Sequence, residues 1–155
     1  MSALAAAQID AISSPARAVT GPDNGPPTLR FAATTDGTPS PLLDQSCAFR
    51  FHFEGTEFAV AVTPGTGSFH YRIGARVGVV PFTAENPAAR HAALAILRHA
   101  GGRSRARFVG DRRQSIWAGT EGDADGEATL SAVMYEIVLF LQEARPYIRL
   151  FAELH

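Results

Sequence analysis

Residues 49–62 read FRFHFEGTEFAVAV, and their alternation decides the fold. Phe49, Phe51 and Phe53 alternate with Arg50, His52 and Glu54, the two-residue period of a strand with one buried face. Gly55-Thr56 fits a two-residue hairpin turn with glycine first. Beyond it Phe58, Val60 and Val62 alternate with Ala59, Ala61 and Thr63. This register sets Phe53 opposite Phe58, Phe51 opposite Val60 and Phe49 opposite Val62, so every apolar side chain shares one face.

The same period continues outward. Pro64-Gly65-Thr66-Gly67 makes the next turn, and Phe69, Tyr71, Ile73, Ala75, Val77 and Val79 predict a long third strand bent at Gly74 or Gly78. Asn86 as cap, Pro87 in the first helical position and Gly101-Gly102 at the end predict a helix over 87–100. Residues 103–109 and 114–119 predict a second hairpin around Gly110-Asp111. Asp123, Asp125 and Glu127 read as the negative charge that favours a helix start. Leu130, Val133, Met134, Ile137, Leu141 and Ala144 follow at helical spacing. Pro146 is expected to break or kink that helix, leaving a last short piece over 147–154.

The front of the chain differs in character. Residues 2–12 predict a short helix, 13–27 a linker rich in Pro, Gly and Ser, 29–34 a strand and 36–44 a loop. The expected organisation is a flexible arm and linker over 1–45 and a single α+β domain over 46–155. Its antiparallel sheet has about five strands, built from a meander and a hairpin, with the helices packed on one face.

Composition bounds the function. The 155 residues are 46% hydrophobic and 19% charged with net charge -1, which excludes a disordered, collagenous or coiled-coil chain. Cys47 is the only cysteine, so neither an intrachain disulfide nor a multi-cysteine zinc cage can form. No run approaches the roughly 20 apolar residues of a membrane span, and the first residues lack the basic start of a secretory signal and carry Asp10. A cytoplasmic protein without a membrane association is expected.

The segment from residue 49 onward resembles the YbjN-type domain, which has the fold of type III secretion chaperones. The resemblance rests on the Phe-rich meander, the Asn86-Pro87-Ala88-Ala89-Arg90 opening of an Ala-rich helix, the hairpin over 107–111 and the acidic approach to a long C-terminal helix. It covers about two-thirds of the chain and carries no catalytic signature. It implies a homodimer that binds protein segments.

The residues point to one candidate site. On the face opposite the Phe side chains, the expected registers align Arg50, Ala61 and His70 in one row and His52, Ala59 and Arg72 in the next. Two alanines then floor a shallow trough rimmed by Arg and His, which suits an acidic peptide, a carboxylate or a phosphate. A solvated sheet face is the bland account of the same residues. The middle of the long helix is apolar nearly all round, so Tyr135, Val138 and Leu139 are expected to meet a second subunit.

Other chemistry finds little support. His52 and His70 lack the third ligand that zinc wants, so no metal is expected. Glu121-x-Asp123-x-Asp125-Gly126 resembles half a calcium loop but has Ala132 where the bidentate Glu belongs. No nucleophile, base and orienting acid assemble, so neither an enzyme nor a cofactor is expected. Arg103, Arg105, Arg107, Arg112 and Arg113 crowd one hairpin near Trp117, but the acidic balance of the chain speaks against nucleic acid, and Arg113 stacked on Trp117 is the simpler reading. The expected function is a non-catalytic chaperone-like or adaptor protein that binds a partner segment, the alternative a small anionic-ligand sensor.

Overall fold

A computed structural model describes residues 31–33, 37–101 and 105–154. The helix expected over 2–12 and the linker over 13–27 lie outside the described residues. The elements in chain order are β1 (Phe31–Ala33), β2 (Pro39–Pro41), β3 (Cys47–Phe53), β4 (Thr56–Pro64), β5 (Ser68–Val79), α1 (Pro87–Ala100), β6 (Arg107–Gly110), β7 (Ser115–Asp125) and α2 (Leu130–Ala152). β1 and β2 form a small antiparallel pair, and the main sheet runs β3-β4-β5-β7-β6, antiparallel throughout. Both helices pack on one face of it, α2 over β5 and α1 over β6. This is the α+β architecture expected from the sequence.

The core lies between that face and α2. Phe58, Val60, Val62, Phe69 and Ile73 from the sheet meet Val133, Ile137, Phe140, Ala144, Ile148 and Phe151 of α2, all of them buried. Phe58 stacks on Phe51 at 5.2 Å and receives the edge of Phe140 at 5.9 Å, geometries that aromatic quadrupoles favour. α1 contributes Ala93 and Ala100, whose small side chains let the helix lie close to the sheet.

The first hairpin differs from expectation in its turn. The two-residue loop is Glu54-Gly55, so Phe53 faces Thr56, Phe51 faces Phe58 and Phe49 faces Val60. The register moves by two residues, and parity keeps every Phe on the core face. Glu54 and Gly55 have φ of 48° and 80°, the doubly left-handed arrangement that matches strand twist in tight hairpins. Glutamate is a costly choice there, but its carboxylate accepts from Arg145 Nε at 2.8 Å and Arg149 Nη2 at 2.7 Å, with Arg145 lying over the Phe53 ring. The turn is thereby tied to α2.

Three further expectations change. β7 runs on to Asp125, so Asp123 and Asp125 belong to a strand and the helix starts at Leu130, capped by the Thr129 side chain. α2 continues through Pro146 as one element to Ala152, since Ala144, Ile148 and Phe151 on either side are held in the core. The loop expected over 36–44 contains β2, whose Ser40 hydroxyl lies 2.8 Å from that of Ser131, and Leu43 N donates to Ala128 O at 2.7 Å. Residues 39–43 are therefore fastened to the start of α2, although composition grouped them with the arm. The long strand bends at a bulge between Arg76 and Gly78, as its glycines suggested.

Two outcomes test this packing. Phe140→Ala should cost about 3–5 kcal/mol in urea unfolding, the range for an emptied aromatic core site. Arg149 foremost, then Arg145, hold the Glu54 carboxyl below its ordinary value against opposing desolvation. A depressed carboxyl stabilises above its unfolded value and loses that contribution as pH falls, so thermal melts should drop below about pH 4.5, and less steeply in Glu54→Gln.

Candidate functional site

Among the described residues one face of the main sheet carries no helix, and alternation places the sequence-predicted residues on it. Their rows differ from those expected because of the hairpin shift. Arg50 stands opposite Ala59, and that row continues through Gly74 and Gly119 to Arg107. Ala61 lies between Ala48 and Arg72, whose row ends at Glu121. His70 lies between Thr63 and Asp123, and His52 faces Glu57. Ala59 and Ala61 do share the floor, but Arg50 and His70 are not in one row, nor are His52 and Arg72.

The larger difference is electrostatic. β7 delivers Glu121 and Asp123 onto this face, and they engage the residues expected to form a positive rim. His70 Nδ1 lies 3.0 Å from Asp123 Oδ1 and its Nε2 lies 3.2 Å from Glu121 Oε1. A charged ring donates to both carboxylates, a neutral one to only one. Arg72 Nη2 donates to Glu121 at 3.4 Å, while its buried Nε has no hydrogen-bond partner among the described residues. Arg50 Nη1 reaches both oxygens of Glu57 at 3.3 and 3.4 Å. Arg50, Arg72 and His70 thus meet Glu57, Glu121 and Asp123, and the trough is charge-compensated.

A second cluster lies toward β6. Trp117 pairs with Arg76 on one side and Val109 on the other, with Arg107 diagonal to it. Arg76 and Arg107 are exposed and have no carboxylate partner among the described residues. The expected stacking of Arg113 on Trp117 is replaced by a hydrogen bond from the indole Nε1 to Asp111 Oδ2 at 3.0 Å. Asp111 Oδ1 also accepts from the Arg113 and Ser115 amides, both at 2.8 Å. Desolvation opposes its charge, but the indole, both amides and the Arg113 guanidinium outweigh it and hold the carboxyl below its usual range. The alternation of Trp117, Gly119, Glu121 and Asp123 is the signal that could have placed these residues together. Reading the acids as a helix start hid it.

The covered face has polar ties of its own. Arg105 pairs with the half-buried Glu136 of α2, and the Arg105 amide donates to Glu143 at 2.7 Å. Tyr71 lies across Gly122, where an added Cβ would come within 3.3 Å of its hydroxyl. Desolvation first, then its hydrogen bond to Glu136, pushes the Tyr71 phenol up to about 12. Beside these groups a cleft of about 740 Å³ opens between β7 and α2, lined in part by Phe69, Asp125, Glu127, Tyr135 and Glu136.

Burial raises the Cys47 thiol, which lowers its thiolate fraction. Among the described residues, no three His, Cys, Asp or Glu side chains are placed to hold a metal ion. None of their helices is long and apolar enough to cross a membrane.

The predicted dimer residues lie on α2. Tyr135 is 62% exposed and Val138 45%, while Leu139 is half-buried. The exposed arc also includes Leu130 and Met134, which helical spacing places in line with Val138.

No protein-family model, curated protein or solved structure matches the chain.

The Tyr71 environment is open to direct measurement. Alkaline titration of phenolate absorbance should show a step near pH 12 that disappears in Tyr71→Phe.

Proposed function

We propose that this protein is a non-catalytic, chaperone-like or adaptor protein of the cytoplasm that holds a segment of a partner protein and works as a homodimer. The observation that carries this reading is the division of labour between the two faces of the sheet. One face is filled by α1 and α2, and the other carries no helix among the described residues, with Ala59, Ala61, Gly74 and Gly119 at its centre. Small side chains on a helix-free sheet face let a main chain approach closely, and polar residues around them supply hydrogen bonds without closing the surface. The described order of meander, helix, hairpin and long helix is also the pattern on which the resemblance to YbjN-type domains rests.

The second subunit docks, in this reading, on the exposed arc of α2. Leu130, Met134, Tyr135 and Val138 form a continuous apolar strip on one protein surface, of the kind that marks association sites. A twofold axis across it sets each strip on its own copy, and Leu139 lies at the margin.

The alternative, a small anionic ligand in the trough, draws less support because Glu57, Glu121 and Asp123 already occupy Arg50, Arg72 and His70. Native mass spectrometry of the purified chain should give twice the 16.5 kDa chain mass and retain a polypeptide segment. A bare protein stabilised in thermal shift by a small carboxylate or phosphate would favour the alternative. Met134→Asp combined with Val138→Asp should yield a monomer in sedimentation equilibrium with a near-unchanged melting profile. A variant that remains dimeric would move the interface off α2.

A further inference from the structure

We infer that the outer edge of β3 pairs with the β3 edge of a second copy, antiparallel about a twofold axis at Phe51, so that the sheet extends from one chain into the next. The inference goes beyond the segment-binding reading and does not depend on it.

The edge follows from the strand order. β3 and β6 are the two outermost strands of the main sheet. β6 has four residues and ends at Gly110, beside the Leu97 side chain of α1, and a short edge offers little to pair with. β3 has seven residues in unbroken register with β4. It contains no proline, bulge or inward-facing charge, the usual guards of an edge, and its one permanently charged side chain, Arg50, is held by Glu57.

Parity decides which main-chain groups face outward. The turn is Glu54-Gly55, so Phe53 and Thr56 form a hydrogen-bonded pair, as do Phe51 with Phe58 and Phe49 with Val60. The N–H and C=O groups of Ala48, Arg50 and His52 therefore point away from β4. All three residues are exposed, and on that side none has a main-chain partner among the described residues. On the core face Phe49, Phe51 and Phe53 are only half-buried, since α2 packs over β5, two strands in from the edge.

Self-complementarity selects the occupant. The stretch Phe49-Arg50-Phe51-His52-Phe53 reads alike in both directions apart from the exchange of Arg for His. Laid antiparallel on itself about Phe51, it sets Phe49 against Phe53, Phe51 against Phe51 and Arg50 against His52 of the second copy. Arg50 and His52 then exchange both main-chain hydrogen bonds, and Phe51 meets its copy in the closer, non-hydrogen-bonded pair, where aromatic cross-strand contacts stabilise. With histidine neutral no like charges stand opposite each other, whereas a twofold one residue along, at Arg50, would oppose two guanidinium groups. A pairing this short buries less than about 1,200 Å² and belongs to the transient class of contacts, so it forms at higher concentration than the α2 contact. Two different twofold contacts on one chain build assemblies beyond the dimer.

The test is residue-resolved amide hydrogen exchange on the full chain across a roughly hundredfold range of protein concentration. The Arg50 and His52 amides should exchange freely when dilute and slow by about tenfold or more when concentrated. The Ala48 amide, beyond the paired stretch, should stay fast, and those of Phe49, Phe51 and Phe53 should stay protected throughout. His52→Arg, which sets arginine against arginine, should raise the concentration needed by several-fold, and adding Arg50→Glu should restore it. Both positions are exposed, and circular dichroism melts check that each variant folds. Protection of Arg50 and His52 that is the same at every concentration would mean that another part of the same chain covers the edge, and would overturn the inference. Free exchange at every concentration would overturn it too. Concentration-dependent protection that extends to Ala48 and ignores the charge variants would overturn the twofold at Phe51.

Discussion

Phe140 of α2, set edge-on against Phe58 in the centre of the sheet, is the contact on which the rest depends. It seats a 23-residue helix along one face, and the apolar halves of β3, β4 and β5 are committed to that face by parity. Both helices among the described residues lie on that side of the five-stranded sheet. The make-up of the opposite face, small residues with charged borders, follows from strand alternation. The exposed arc of α2 follows from how the core is filled, because a helix apolar on more than one side has a surface left over once its inner side is buried.

Much of this was legible in the chain itself. The two-residue period over 49–62 and the capped run over 87–100 identify the meander and α1, since burial on a single face imposes a pattern that local sequence records. Turn position was harder to read. Gly55 serves a two-residue turn either as its first or its second residue, and only the conformation of Glu54, which lies in the left-handed region because α2 holds its carboxylate, selects the second. Parity protected the face assignment from that error, while the cross-strand rows shifted.

The candidate site was legible in membership and not in electrostatics. Arg50, His52, Ala59, Ala61, His70 and Arg72 do share the open face, because each side of a strand is fixed by alternation. The neutralisation of His70 and Arg72 depends on Glu121 and Asp123, about fifty residues away, arriving through the β5–β7 pairing. An acidic stretch just before a helix has two uses, a strand end or a charged helix start, and local sequence does not separate them. Pro146 carries a related lesson. A proline inside a helix removes one hydrogen bond, but Ala144 and Ile148 are anchored deeply enough for α2 to run past it.

The clamp between Glu54 and the two arginines joins residues 91 and 95 positions apart. The hairpin over β3 and β4 consists of local contacts that can form soon after that segment leaves the ribosome. The tip of that hairpin has an unfavourable backbone until Arg145 and Arg149 arrive, so its turn reaches its final geometry only once α2 is seated. A locally encoded element thus waits on a contact of high sequence separation for its completion.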